Sequence, residues 1–172
     1  MTKQASDYVW YNGEKYTLID CEKDKSVIDS ANFGLENKYF GTACRRGYTA
    51  EYFIENNLLF GEKTVWDAER TKNSIVISHF TSSRMRMSYT GSMIIAINND
   101  GSFSGFGFIT DYLKFDRALE LYFIDGELAE ITDLSAAIKE WAAFKKSNDY
   151  DQEREIALKH LQYDYGINYK NM

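Results

Sequence analysis

The segment YTAEYFIENNLLF, residues 48–60, changes side at every residue. Tyr48, Ala50, Tyr52 and Ile54 fall on one face and Thr49, Glu51 and Phe53 on the other, the period of a strand with one face against a core. Asn56-Asn57 breaks the pattern before Leu58-Leu59-Phe60. Asparagine tolerates positive backbone φ, so the segment reads as a strand, a tight turn and a returning strand that closes near Gly61. Asn12-Gly13 sets up a first hairpin in the same way between YVWY and EKYTLID, and Asn98-Asn99-Asp100-Gly101 marks a turn after SMIIAI. A chain punctuated like this reads as antiparallel strands joined by tight turns, and it contains no proline in 172 residues.

The YFI triplet returns. Tyr52-Phe53-Ile54 and Tyr122-Phe123-Ile124 lie 70 residues apart, and the same offset relates Glu55 to Asp125 and Leu58 to Leu128, with Asn56-Asn57 and Gly126-Glu127 as equivalent breaks. A fainter pair, YNGEKYTLID from Tyr11 and YTGSMIIAIN from Tyr89, precedes them. We therefore expect two related β-rich units, residues 9–60 and 87–131, inside one domain spanning 1–172. From Asp133 the period lengthens. Leu134, Ala137, Ile138, Trp141, Ala142 and Phe144 recur at three and four residues, an amphipathic helix. A second helix is expected from an Asp149 cap answered by Gln152, with Ile156, Ala157, His160 and Leu161 on its apolar side and Gly166 as its stop. The expected fold is α+β: an antiparallel sheet with C-terminal helices, residues 133–165, packed against it.

Charge narrows the function classes. Acidic side chains outnumber basic ones 26 to 20, giving a net charge of -6, which disfavours a phosphate-backbone footprint and favours a basic protein partner. Arg84 and Arg86 share one face of SSRMRMSY, opposite Met85 and Met87, as in a half-buried strand. GSFSGFGF lacks both the GxGxxG spacing and the GK[ST] ending of phosphate loops. No apolar run reaches the length of a membrane span, and two cysteines make no disulfide framework, so a cytoplasmic location is expected.

The segments CRRGYTAEYFIENNLLF, residues 44–60, and YTGSMIIAI, residues 89–97, with YFIDGEL as a weaker third, resemble a group of small, largely uncharacterised bacterial proteins. That resemblance implies a bacterial accessory protein and carries over no catalytic residue.

No reactive constellation stands out. Cys44 beside Arg45 and Arg46 has the cationic neighbours that favour a thiolate, and His79 is a candidate base for it, but nothing in the spacing brings them together. Glu51, Glu55, Asp116, Glu120 and Asp125 form no distinguishable acid/base pair. His79 and His160 have no CxxC or HExxH companions, so no metal and no cofactor is expected. Aromatic residues make up 16% of the chain, and this is the composition of interfaces as well as of sheets. Arg45, Arg46, Tyr48, Tyr52, Tyr89 and Tyr122 are the binding candidates. The expectation is a non-enzymatic protein-binding or accessory module, of the inhibitor or immunity kind. The alternative is a small-ligand hydrolase using an unassigned carboxylate or Cys44 with His79.

Overall fold

In a computed structural model of the chain, strand β1, Tyr8–Tyr11, turns at Asn12-Gly13 into β2, Glu14–Cys21. The structure describes residues 6–22, 27, 33, 35–36, 47–70, 74–102, 108–144, 150–163 and 165, without the side chains of 68 and 70. Cys44, Arg45, Arg46, Asp149 and Gly166 lie outside the described residues. β3, Tyr48–Glu55, turns at Asn56-Asn57 into β4, Leu58–Arg70. Then come β5, Ile75–Thr81, a short β6, Met85–Arg86, and β7, Gly91–Ile97. A 3-10 helix, Ile109–Lys114, leads to β8, Arg117–Ile124, and β9, Glu127–Asp133. Helices α1, Ser135–Phe144, and α2, Tyr150–Lys159, follow. Among the described residues three two-residue hairpin turns place both central residues at positive φ: 50° and 80° at Asn12-Gly13, 50° and 63° at Asn56-Asn57, 49° and 75° at Asp125-Gly126. That geometry matches the twist of the flanking strands.

The expected antiparallel sheet is corrected to a mixed barrel. Seven strands close a ring in the order β3-β1-β2-β7-β8-β9-β4, with β4 returning to β3, while β5 and β6 attach to β4 outside it. One pairing is parallel: β1 on β3, with Val9 opposite Tyr52. The physical reason is that strand period specifies which side chains share a face, and an open sheet and a closed one satisfy the same alternation.

Inside the ring, Val9, Tyr16, Ala50, Tyr52, Leu59, Met93, Ile95, Leu121 and Phe123 form the main core. A second core lies on the outer side. Ile94 and Ala96 of β7 and Ala118 of β8 pack there against Ile109, Tyr112 and Leu113 of the 3-10 helix, and against Leu134, Ala137, Ile156 and Ala157 from the helical region. The unbroken apolar run of β7 follows from burial on both faces. At roughly 1.5–3 kcal/mol for each large apolar side chain, the two layers supply the main stabilisation. The expected face of α1 is present through Leu134, Ala137, Ile138 and Trp141, but Phe144 stays exposed. The 3-10 helix has no counterpart in the sequence reading.

The YFI repeat does not keep its orientation. Tyr52 points into the barrel, only 2% exposed, whereas Tyr122 lies on the outer side, stacked on Tyr163 at 4.3 Å. Phe123 is inside and Phe53 outside, stacked on Trp10 at 6.4 Å. The turns explain the inversion: Asn56-Asn57 corresponds to Asp125-Gly126, one residue short of the triplet offset, and β8 and β9 shift register between Tyr122 and Phe123. A single-residue slip sends every side chain to the other face.

Closure relies on one turn. β9 meets β4 at Leu58 opposite Glu127, supported by Leu59 N–H to the Gly126 carbonyl at 2.8 Å and Leu128 N–H to the Asn57 carbonyl at 2.7 Å. Gly126 N–H donates to the Tyr89 carbonyl at 2.7 Å. A Cβ at Gly126 would lie 1.8 Å from the Met87 carbonyl oxygen, so only glycine fits this positive-φ site.

Candidate recognition surface on the outer wall

Outward-facing residues of β1, β3, β4 and β5 form one continuous wall, because Val9, Ala50, Tyr52, Leu59 and Val65 take the inward positions. Tyr8 and Trp10 come from β1, Thr49, Glu51 and Phe53 from β3, Thr64 and Trp66 from β4, and His79 and Thr81 from β5. The registers Thr49 to Thr64 to Thr81 and Trp66 to His79 place hydroxyls and rings in rows across the wall.

Between these rows lies an open groove of ≈ 410 Å³. Tyr8 and Trp66 line it with rings, Glu51 and His79 with polar groups, and Ser6, Thr49, Thr64 and Thr81 with hydroxyls. Its groups are already held. Trp66 Nε1–H donates to Thr49 Oγ1 at 3.3 Å, the Trp66 and His79 rings lie 5.3 Å apart, and the Thr64 and Thr81 hydroxyls share a bond of 2.9 Å. Lys15 Nζ sits 4.2 Å over the Tyr8 ring and donates to Glu51 at 2.7 Å, while Trp10 Nε1–H donates to the other Glu51 oxygen at 2.9 Å. Burial pushes the Glu51 carboxyl up, but the bonds from Lys15 and Trp10 more than offset this and leave it below the usual carboxylate range. Glu51 is therefore a fixed anion and hydrogen-bond acceptor, not a proton donor.

The same wall continues past the groove. Arg84 lies 3.5 Å over the Phe53 ring and forms ion pairs with Glu55 at 2.6 Å and Glu62 at 2.8 Å. Arg84 is thus committed to neighbours within the wall.

The four described tyrosines among the sequence candidates do not share a surface. Tyr52 and Tyr89, 2% and 5% exposed, are core rings, and Tyr89 donates its hydroxyl to the Ser92 carbonyl at 2.8 Å. Tyr48 is half-buried against the inner core, with Lys63 Nζ 5.0 Å from its ring. Tyr122 faces the C-terminal segment through Tyr163. The sequence reading missed Tyr8, Trp10, Phe53 and Trp66. The signal that could have found two of the wall's residues was the parity of the opening segment, since Glu51 and Phe53 fall opposite the inward Tyr48, Ala50 and Tyr52.

The candidate catalytic groups among the described residues are scattered. His79 is exposed on β5 against the Trp66 ring, and His160 bonds Glu140 at 2.7 Å across α1 and α2. Glu120 is buried on the far side of the barrel, where it accepts from Gln162 N–H at 2.8 Å, Tyr163 N–H at 3.2 Å and the Tyr165 hydroxyl at 3.0 Å. Asp116 accepts from Asn99 N–H at 2.8 Å, and Asp125 occupies a turn. Lys63 is fully buried at the barrel interior, donates to the Leu35 carbonyl at 2.7 Å, and has its ammonium pKa lowered by burial. Among the described residues no three His, Cys, Asp or Glu side chains converge as metal ligands, and no helix is long and apolar enough to cross a membrane. Comparison with known protein families, with curated proteins and with solved structures yields no match, so the geometry of the wall is what bears on function.

Proposed function

We propose that the chain is a non-enzymatic protein-binding module of the inhibitor or immunity kind, engaging its partner with the outer wall of β1, β3, β4 and β5. The observation that carries this reading is the aromatic groove, with Tyr8 and Trp66 as walls and hydroxyls at its rim. Rings held in place, Trp66 by its bond to Thr49 and Tyr8 under the Lys15 ammonium, lose little freedom on contact, and tryptophan, tyrosine and arginine are the residues around which interface energy concentrates. The net charge of -6 favours a basic partner, because long-range attraction raises the rate of encounter. Turnover is not required for such a role, and the carboxylate nearest the groove is held ionised by Lys15 and Trp10.

Affinity purification from a lysate of the native cell tests this with wild type, Trp66→Ala, which removes a wall, and Thr64→Arg, which fills the groove. A macromolecule retained by wild type should fall in recovery by roughly tenfold or more with either variant. Both variants should melt within a few degrees of wild type. Equal recovery by correctly folded variants, or no specific macromolecule on the wild type, overturns the reading.

A further inference from the structure

Strand β5 ends the sheet. It pairs with β4 along one side, from Thr81 opposite Thr64 to Ile75 opposite Arg70, and among the described residues no strand pairs with its other side. Ile75, Val76, Ile77 and Phe80 are 54–57% exposed, on both faces of the strand. Natural edge strands are protected by charges, prolines or bulges. β5 has none of these: IVISHFT contains no Asp, Glu, Lys, Arg or Pro, and its pairing with β4 runs without a register shift.

The backbone direction can be read from the strand's end. Ser82 N–H donates to the Lys63 carbonyl at 2.8 Å, continuing the register one residue past Thr81. Peptide groups alternate along a strand. Val76, Ser78 and Phe80 therefore turn theirs toward β4, and Ile75, Ile77, His79 and Thr81 present N–H and C=O groups at the open side.

We propose that a second copy of this chain adds to β5 in antiparallel fashion, around a two-fold axis through Ser78 and perpendicular to the sheet. Ile75 then faces Thr81 and Ile77 faces His79, each pair occurring twice, and these are the residues whose peptide groups are available for the ladder. Val76 faces Phe80 twice on the other face. Aromatic and β-branched partners opposite one another across strands are favourable pairs. The occupant is argued from charge: a two-fold interface sets each residue against the same strand, so any charge near the axis would oppose its own sign. A strand free of charged residues meets that condition, in a chain where 27% of residues are charged. The axis leaves both grooves on one face of the extended sheet, with His79 and Thr81 at the border between each groove and the dimer seam.

Sedimentation velocity of the purified protein across the micromolar range should give a species of twice 19.9 kDa that dissociates on dilution. Val76→Lys, at an exposed position, should weaken association by roughly tenfold or more while melting with wild type at concentrations where wild type is dissociated. Ser78→Cys tests the register. In this arrangement the two Ser78 form a non-hydrogen-bonded pair with Cα atoms about 4.5 Å apart, within disulfide range. Mild oxidation should then link Ser78→Cys, and not wild type, into a covalent dimer. A wild type that stays monomeric overturns the proposal, as does a dimer that neither responds to Val76→Lys nor cross-links through position 78. A monomer that still retains its partner through Trp66 would leave the functional reading standing.

Discussion

Gly126 is the residue on which the geometry depends most. Its φ of 75° and the Met87 carbonyl beside it exclude any side chain. Gly126→Ala combines left-handed strain of about 1–2 kcal/mol with overpacking of about 1–3 kcal/mol, and should lower stability by about 3 kcal/mol in urea unfolding. A loss under about 1 kcal/mol would mean that the turn relaxes away from residues 87–90. At this scale the sequence was legible in part. The turn residues Asn12-Gly13 and Asn56-Asn57 could be recognised from their chemistry, but the turn before β9 is Asp125-Gly126 and not Gly126-Glu127. What misplaced it was the assumption that one offset runs unbroken through triplet and turn. Tyr52 and Tyr89 were selected as binding residues because tyrosine suits both interfaces and cores, and only the direction of the strand decides between them.

Among the elements, the segment after α2 reaches the barrel through the Tyr122–Tyr163 stack, the Tyr163 hydroxyl on Glu130 and one carboxylate that gathers three of its donors. Glu120 on the outer face of β8 accepts from Gln162, Tyr163 and Tyr165. Burial raises its pKa, against the opposing pull of those bonds. A carboxyl whose pKa is raised by folding contributes stability that is fully present below its unfolded value and lost as pH rises through the folded one. The advantage of wild type over Glu120→Gln, measured by urea unfolding from pH 4 to 8, should therefore be largest near pH 4 and shrink as pH rises. A gap that widens with pH, or does not change, contradicts this account. The helices were legible because three-and-four spacing persists over several turns from Leu134 to Trp141. The 3-10 helix was not, because six residues of ITDYLK are too few to establish a period, and its Ile109, Tyr112 and Leu113 are recognisable only once β7 is known to be buried on both faces. The exposed side of β5 was equally hidden, since a short apolar run looks the same whether it lies in a core or at a sheet edge.

For the whole molecule, closure is the property that local pattern does not encode. Alternation identified the inner face of β3 and the hairpin that returns β4 to it, yet the parallel contact of β1 with β3 and the meeting of β9 with β4 join residues about forty and about seventy positions apart. The site has the same origin: Tyr8, Glu51, Trp66 and His79 come from four strands and share a groove only because the registers align them. The ring is also uneven. β7 and β8 are paired along seven residues, from Gly91 opposite Phe123 to Ile97 opposite Arg117, whereas β9 and β4 meet at one. A barrel built this way breathes at its seam. Amide hydrogen exchange should report this directly: the amides of Leu59 and Leu128 should exchange by local opening, well before those of Ile94 and Ile95, which should wait for global unfolding. Uniform protection around the ring would instead mean that the seam is as durable as the long strands, and that the barrel opens all at once or not at all.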